Sequence, residues 1–157
     1  MVQPLPGRDH AEALPERIAM LQQMAVLGGL SADSLEILLA ASHRVSCAEG
    51  AEFFHEGEPG DTMYILESGA VEVLKNSPRG QRRLGRLVAG DCFGEMALMD
   101  MSPRSATIRA LQPCEAIELP FAALLTLSER DIAQFALLMM NMGREVSRRL
   151  RIADQGA

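Results

Sequence analysis

The chain has 157 residues, of which 48% are hydrophobic, and this is enough for one domain with a sizeable core but hardly for two. Its formal net charge of −6 argues against a surface built to bind nucleic acid without sequence preference. Three widely spaced cysteines predict neither a disulfide framework nor a zinc site, and no apolar run is long enough to span a membrane. We therefore expect a single-domain cytoplasmic protein without a membrane partner.

Two helices are predicted near the N-terminus. Positions 1–13 are polar and carry two prolines, which predicts a loose terminal segment and leaves 14–157 as the domain. From Pro15 to Leu27 apolar residues recur at helical spacing, and two glycines then end the helix. A second helix is predicted with Ser31 as its N-cap, running to about Ser42.

Short strands separated by turn signals are predicted from about Arg44 to Leu119. The strand segments are 51–54, 62–67, 70–74, 81–88, 104–111 and 114–119. The second and third of these are predicted to pair as a hairpin across Ser68 and Gly69. Strands at this spacing, with regular glycines between them, predict an antiparallel roll or barrel.

The C-terminal part is predicted to be helical, with a short turn from Pro120 to Leu127 and a long helix capped by Ser128. Apolar and small residues form a heptad seam along the long helix: Ile132, Ala136, Met139, Gly143, Val146, Leu150 and Ala153. Two arrangements fit this pattern. Either the helix packs on the roll as an ordinary amphipathic helix, or the small residues of the seam let two long helices approach in a homodimer.

One carboxylate and one guanidinium stand out among small and apolar residues in the segment from 90 to 110. Glu95 follows a turn, and Arg104 comes nine residues later. The backbone amides from Gly94 to Ala97 can form an anion-binding nest, to which Arg104 adds a positive fork, so a ligand with a phosphate and a sugar hydroxyl would fit. A structural Glu95–Arg104 ion pair that closes a loop fits the same residues.

The stretch FGEMALMDMSPRSATIRA closely resembles the phosphate-binding cassette of cyclic nucleotide-binding domains. The likeness extends upstream through FFHEGEPGDTMYILESGAVEVL and covers roughly residues 20 to 153. It implies a mainly β fold with flanking helices, built around a jelly-roll-like antiparallel β-roll of about eight strands. N-terminal helices, a short helix in the phosphate cassette and a long C-terminal helix are implied as well.

The resemblance also implies which residues meet the phosphate and the ribose. Arg104 resembles the arginine that pairs with the cyclic phosphate, and the amides near Ala97 and Ser105, with the Ser105 hydroxyl, match the groups that complete that site. Glu95 and the Gly94 backbone resemble the groups that bind the ribose 2′-hydroxyl. Turn glycines that match the family are expected to shape the fold and to touch no ligand; they are Gly57, Gly60, Gly69 and Gly90.

Base contacts are implied at three positions. Val73 and Leu84 match apolar positions beneath the base, although both also suit an ordinary core. The sequence Ser-Arg-Arg-Leu at 147–150 resembles an Ala-Arg-Arg-Leu of the catabolite activators, in which the second arginine reaches toward the nucleotide. This makes Arg149 the candidate, unless the arginines of this helix only favour its C-terminus and solvate its outer face.

The function implied is that of a stand-alone regulatory module that binds a cyclic nucleotide, with cyclic AMP favoured, and transmits binding through its C-terminal helices. Ser105 can serve either base, so cyclic GMP stays open. We expect a homodimer through the long helix and an unidentified downstream protein, with no cofactor, no metal and no enzymatic activity. No DNA-binding segment is expected after the long helix. The alternative is an interaction scaffold whose pocket is empty or takes another phosphate ligand, such as a cyclic dinucleotide.

Overall fold

A computed structural model describes residues 2–5 and 15–155, and nine strands in this part of the chain form two antiparallel sheets. The strands are β1 (Gln3–Pro4), β2 (His43–Cys47), β3 (Glu52–Phe54), β4 (Thr62–Ser68), β5 (Ala70–Ser77), β6 (Gly80–Val88), β7 (Cys92–Phe93), β8 (Thr107–Ala110) and β9 (Cys114–Pro120). The helices are α1 (Pro15–Gln22), a 3-10 helix (Ala25–Leu27), α2 (Ala32–Ala40), α3 (Glu95–Asp100), α4 (Phe121–Arg130) and α5 (Ile132–Gln155).

The sheets make a β-roll with helices on one side. One sheet has the strand order β1-β2-β9-β4-β7, and the other has the order β3-β8-β5-β6. The prediction of a mainly β roll with N-terminal helices, a short cassette helix and a long C-terminal helix is confirmed. No helix among the described residues is both long enough and apolar enough to cross a membrane.

Two separate cores hold the roll and the helices together, and strand β4 contributes to both. Its neighbouring residues alternate between the two faces of the sheet, so Met63 and Ile65 enter the helical core while Tyr64 and Leu66 enter the interior of the roll. All four side chains are buried. The sheet therefore fixes the helices relative to the inside of the roll.

The hairpin predicted between 62–67 and 70–74 is wrong. Strand β4 pairs with β7 and β9, whereas β5 pairs with β6 and β8. The chain passes from one sheet to the other at Gly69, whose φ of +95° is rarely adopted by other residues. A Cβ there would lie 2.7 Å from the Cys114 sulfur, so this crossing requires glycine for space as well as for conformation.

Several predicted boundaries also need correction. The first helix stops at Gln22, and a separate 3-10 helix follows it. Arg104 lies in the loop before β8 rather than at the start of a strand. Strands β2 and β7 were not predicted, and β1 falls within the segment predicted to be loose, most of which lies outside the described residues.

The capping prediction for the long helix is wrong, whereas that for α2 is confirmed. Ser31 accepts a hydrogen bond from the Ser34 amide at 3.1 Å, as an N-cap does. Ser128 instead lies inside α4 and donates to the Leu125 carbonyl at 2.7 Å. Asp131 caps α5, because its carboxylate accepts from the Gln134 amide at 3.2 Å.

A buried amide helps to fasten helix α5 to the N-terminal elements. The Asn141 side chain donates to the Val26 carbonyl at 3.1 Å and to the Gly28 carbonyl at 2.8 Å. Leu138 and Met142 are buried beside it in the helical core. This contact places the following turns of α5 over the segment that carries Glu95.

Candidate functional site

The segment from Gly94 to Ser105 is held between the two sheets by backbone contacts and by glycine. Gly94 begins α3 with a φ of +83°, a left-handed conformation that favours glycine. At the other end, the Arg104 amide donates to the Glu58 carbonyl and the Gly57 amide donates to the Arg104 carbonyl, both at 2.8 Å. These paired bonds fix where the Arg104 side chain starts.

The Arg104 guanidinium points into the roll and is 5% exposed. Its Nη1 donates to the Thr62 carbonyl at 2.8 Å and to the Gly94 carbonyl at 3.2 Å, and its Nη2 donates to the Thr62 hydroxyl at 2.9 Å. The guanidinium carbon lies 4.0 Å from the centre of the Phe54 ring, which is a cation–π contact. Nη1 and Nη2 are thus both held by the protein, and the buried Nε has no hydrogen-bond partner among the described residues.

Two glycines make room for this arginine. A Cβ on Gly60 would overlap the guanidinium at Nε and Cζ, and a Cβ on Gly94 would lie 2.8 Å from Nη1. The expectation that Gly60 only shapes a turn is therefore incomplete, because its lack of a side chain lets Arg104 occupy this position.

The Glu95 carboxylate pairs with Arg149 of α5 rather than with Arg104. Arg149 Nη1 donates to Glu95 Oε1 at 3.3 Å, and Glu95 is 5% exposed. The alternative of a structural Glu95–Arg104 ion pair is therefore wrong. The long helix instead brings an arginine, 54 residues away in sequence, to the acidic residue of the cassette.

Burial perturbs both charged groups of the cassette. Desolvation raises the pKa of Glu95 above its usual range, and the charge of Arg149 opposes that shift. Burial also lowers the pKa of Arg104, while nearby acidic groups act in the opposite direction. A carboxylate and a guanidinium that are both buried without contacting one another are typical of a binding site rather than of a surface ion pair.

Unpaired donors concentrate at this site. Five buried side-chain nitrogen atoms lack a hydrogen-bond partner among the described residues, and three of them belong to the two arginines here: Arg104 Nε, Arg149 Nε and Arg149 Nη2. Leaving a buried donor unsatisfied costs about 1–3 kcal/mol, and more for a charged group. These buried N–H groups therefore lack an acceptor among the described residues, and a ligand that entered the site would supply one.

The other predicted site residues lie in different surroundings. Ala97 is buried in the first turn of α3, where backbone amides have no partner within the helix. Ser105 is exposed, and its hydroxyl lies 3.9 Å from the Met96 sulfur. Val73 on β5 packs against the core of the roll, whereas Leu84 is 51% exposed in a bulge of β6. The described residues contain no group of three or more metal-ligating side chains.

Thr62 and Phe54 were missed by the sequence analysis. Thr62 supplies both its carbonyl and its hydroxyl to Arg104, and Phe54 supplies a ring face. They precede Arg104 by 42 and 50 residues, so no local spacing connects them with it. The only available signal was that both lie within the upstream stretch that shares the family resemblance.

Comparison with known proteins connects this geometry with a family. Residues 44–131 match the family profile described as the cyclic nucleotide-binding domain. The cyclic AMP receptor protein of Thermus thermophilus is 32% identical over 127 residues, which are 80% of this chain and 57% of that protein. The cAMP-dependent protein kinase regulatory subunit of Yarrowia lipolytica is 34% identical over 104 residues, which are 66% of this chain and 27% of that protein.

A solved structure shares the overall arrangement. The crystal structure of a cyclic nucleotide-binding domain from Methylobacillus flagellatus aligns with a TM-score of 0.83 and 22% identity, covering 97% of this chain and 85% of that one. At this identity the likeness concerns the fold alone. The chain spans less than two thirds of the length of the two curated relatives above.

Proposed function

The chain belongs to the family of cyclic nucleotide-binding domains, and we propose that it binds cyclic AMP as a regulatory module without catalytic activity. The names of the two relatives support cyclic AMP as the ligand. Ser105 follows Arg104 directly and suits either purine, so cyclic GMP is the competitor to test. The cytoplasm is the proposed compartment, because free thiols persist there.

The three unpaired arginine donors carry this proposal. A cyclic phosphate is an anion that accepts two parallel hydrogen bonds from a guanidinium. Arg104 Nε has no hydrogen-bond partner among the described residues, whereas Nη1 and Nη2 are already held by Thr62 and Gly94. A phosphate would therefore use Nε together with the second hydrogen of Nη2. Because the protein already holds the guanidinium, binding would cost little side-chain entropy.

The neighbouring residues extend the site from the phosphate to the ribose and the base. The amides near Ala97 and Ser105 would complete the phosphate contacts. Glu95, together with the Gly94 backbone, would accept from the ribose 2′-hydroxyl.

Arg149 Nε and Nη2 are buried and have no partner among the described residues, while Nη1 holds Glu95, and these two nitrogen atoms would turn to meet the nucleotide. Val73 and Leu84 would meet the base from the strands. A ligand that uses Arg149 would couple occupancy of the site to the position of α5, through which binding would be transmitted to a downstream protein.

We also propose a homodimer through α5. The seam residues Ile132, Ala136 and Leu150 are exposed, whereas Met139 of the seam packs against the helical core together with Leu138 and Met142. A Cβ at Gly143 would meet open space, so packing within this chain does not require glycine there. Since glycine inside a helix costs about 1 kcal/mol relative to alanine, close approach of a second helix accounts for it.

Calorimetric titration with cyclic AMP and cyclic GMP tests the binding, and substitution of Arg104 tests the site. Arg104→Ala should weaken cyclic AMP binding by about 2–5 kcal/mol, because a buried phosphate would lose its charged partner. Arg104→Lys should recover only part of this, since an ammonium cannot offer two parallel donors.

Arg79→Ala, in the exposed turn between β5 and β6, is the matched control and should bind as the parent does. A folded Arg104→Ala variant with parental affinity would show that the phosphate assignment is wrong. Absence of binding by the parent to either nucleotide would favour the scaffold alternative.

A further inference from the structure

Two cysteines outside the proposed nucleotide site lie opposite one another on neighbouring strands. Cys47 ends β2 and Cys114 begins β9, and the antiparallel register of these strands pairs them directly. Residues that are directly opposite in an antiparallel pair point to the same face of the sheet. Both cysteines accordingly belong to the core of the roll, and both are free thiols.

The backbone geometry of such a pair matches what a disulfide requires. Opposite residues in antiparallel strands have Cα atoms about 4.5–5.5 Å apart. Disulfides span Cα separations of roughly 4.4–6.8 Å, so no rearrangement of the strands is needed. The Cβ atoms of opposite residues are about 4.5–5.5 Å apart and must close slightly to the roughly 3.5–4.5 Å of a disulfide.

A small oxidant has a route to the pair. Both cysteines line a cavity of about 430 Å³ that is also bordered by Gln3, Ser68 and Pro113. The Cys114 thiol lies 3.3 Å from the Ala70 carbonyl, to which it can donate. That carbonyl also accepts from the Leu111 amide at 2.9 Å, so loss of the thiol hydrogen would leave it paired.

We propose that Cys47 and Cys114 are a reversible thiol–disulfide site that is oxidised by hydroperoxides. The thiolate of one cysteine attacks a peroxide oxygen, the O–O bond breaks, and a sulfenic acid forms, while the departing hydroxide takes up the proton lost from the thiol and becomes water. The thiolate of the other cysteine then attacks that sulfur, the S–O bond breaks, and the departing hydroxide takes up a proton. In total the two thiols lose two electrons and two protons, and hydrogen peroxide becomes two molecules of water.

The third cysteine provides an internal comparison. Cys92 on β7 is opposite Ile65 in the register, so no cysteine faces it. It is 1% exposed, and burial raises its pKa to about 12. Burial also raises the pKa of Cys47 and of Cys114, so their oxidation should be slower than that of a solvent-exposed thiol.

The test exposes the reduced full-length chain to hydrogen peroxide under native conditions, followed by alkylation and mass spectrometry. The protein should lose two of its three thiols within one chain, and dithiothreitol should restore them. The three cysteines fall in separate tryptic peptides, 45–75, 87–104 and 110–130, so the linked pair is identified directly. The first and third peptides should be joined.

Matched variants separate this site from nonspecific oxidation. Cys92→Ser should form the link as the parent does, whereas Cys47→Ser and Cys114→Ser should both form no link, and one of these two should keep a sulfenic acid that dimedone traps. The proposal is overturned if the folded parent keeps all three thiols, if Cys92 is in the link, or if links form only between chains. It is equally overturned if Cys114 proceeds to sulfinic acid without any link.

Discussion

Replacing Arg149 with alanine tests whether helix α5 is electrostatically tied to the cassette. The substitution removes the partner of a carboxylate that is 5% exposed, leaving Glu95 with its 3.3 Å contact to α5 broken. Two effects should follow: a less stable unliganded protein, and weaker binding of cyclic AMP. Both derive from the same side chain, so they should appear together.

The size of the stability effect follows from the geometry. Breaking a buried ion pair costs about 3–5 kcal/mol, and one charged hydrogen bond contributes about 1.5–3 kcal/mol. The Arg149–Glu95 pair has a single contact, and the Arg149 side chain is 24% exposed, so solvent partly screens it. We therefore expect a loss of about 2 kcal/mol near neutral pH. For cyclic AMP, the loss of one charged hydrogen bond should weaken affinity about tenfold.

The stability lost in Arg149→Ala should depend on pH, because Glu95 titrates differently in the folded and unfolded states. Burial raises the pKa of Glu95 in the folded protein, so its contribution to stability is complete below the unfolded pKa of about 4.3 and is lost as pH rises through the folded pKa. Arg149 opposes that rise, and its removal should therefore raise the folded pKa further. The stability lost in Arg149→Ala, relative to the parent, should be largest at about pH 7.5 and should shrink toward pH 4.5.

Urea unfolding at these two pH values measures the deficit. Arg148→Ala is the control, because Arg148 is the preceding residue, its side chain is 54% exposed, and it pairs with Glu145 within α5. Surface pairs of this kind contribute less than about 1 kcal/mol. An Arg149→Ala deficit that equals that of the control, or that stays constant between pH 4.5 and 7.5, would refute the reasoning.

Two further predictions concern glycines. Gly60→Ala should displace the Arg104 guanidinium, which a Cβ would overlap, and should weaken cyclic AMP binding at least about tenfold. Gly85→Ala is the control and should leave the affinity unchanged, because a Cβ there meets open space. Equal affinities of the two variants by calorimetry would contradict the role of Gly60 in placing Arg104. Gly143→Leu should weaken the proposed homodimer without unfolding the protomer, as sedimentation can show, and a parent that stays monomeric at high micromolar concentration with ligand would remove that proposal.

The cassette was predictable from the sequence because its residues are close together. Glu95, Arg104 and the glycine before the short helix lie within a dozen residues, so a single sequence motif was enough to identify all three. What Arg104 contacts was not predictable, because Thr62 and Phe54 reach it only after the two sheets have formed. Glu95 was expected to stand free for a ligand, and only the docking of α5 brings Arg149 to it.

Two errors in the fold have physical causes. Ser68 and Gly69 have the composition of a hairpin turn, but both faces of β4 are apolar, which favours a central strand between two cores over a partner in a hairpin. Ser128 and Asp131 are both good caps, and local sequence could not choose between them. In the structure, α4 continues through Ser128 and the break before α5 falls at Asp131, so Asp131 is the cap of α5.

The two hydrogen bonds of Asn141 fix one point of the long helix, so the part beyond that point can move by bending there. The helix is clamped at Asn141 to the Val26 and Gly28 carbonyls, and Gly143, the residue with the weakest helical preference, follows two positions later. Arg149 lies eight residues beyond the clamp, or about 12 Å along the axis at about 1.5 Å per residue. A bend of only about 10° at that point would swing Arg149 by about 2 Å, enough to separate it from Glu95, while the N-terminal half of the helix stayed in the core.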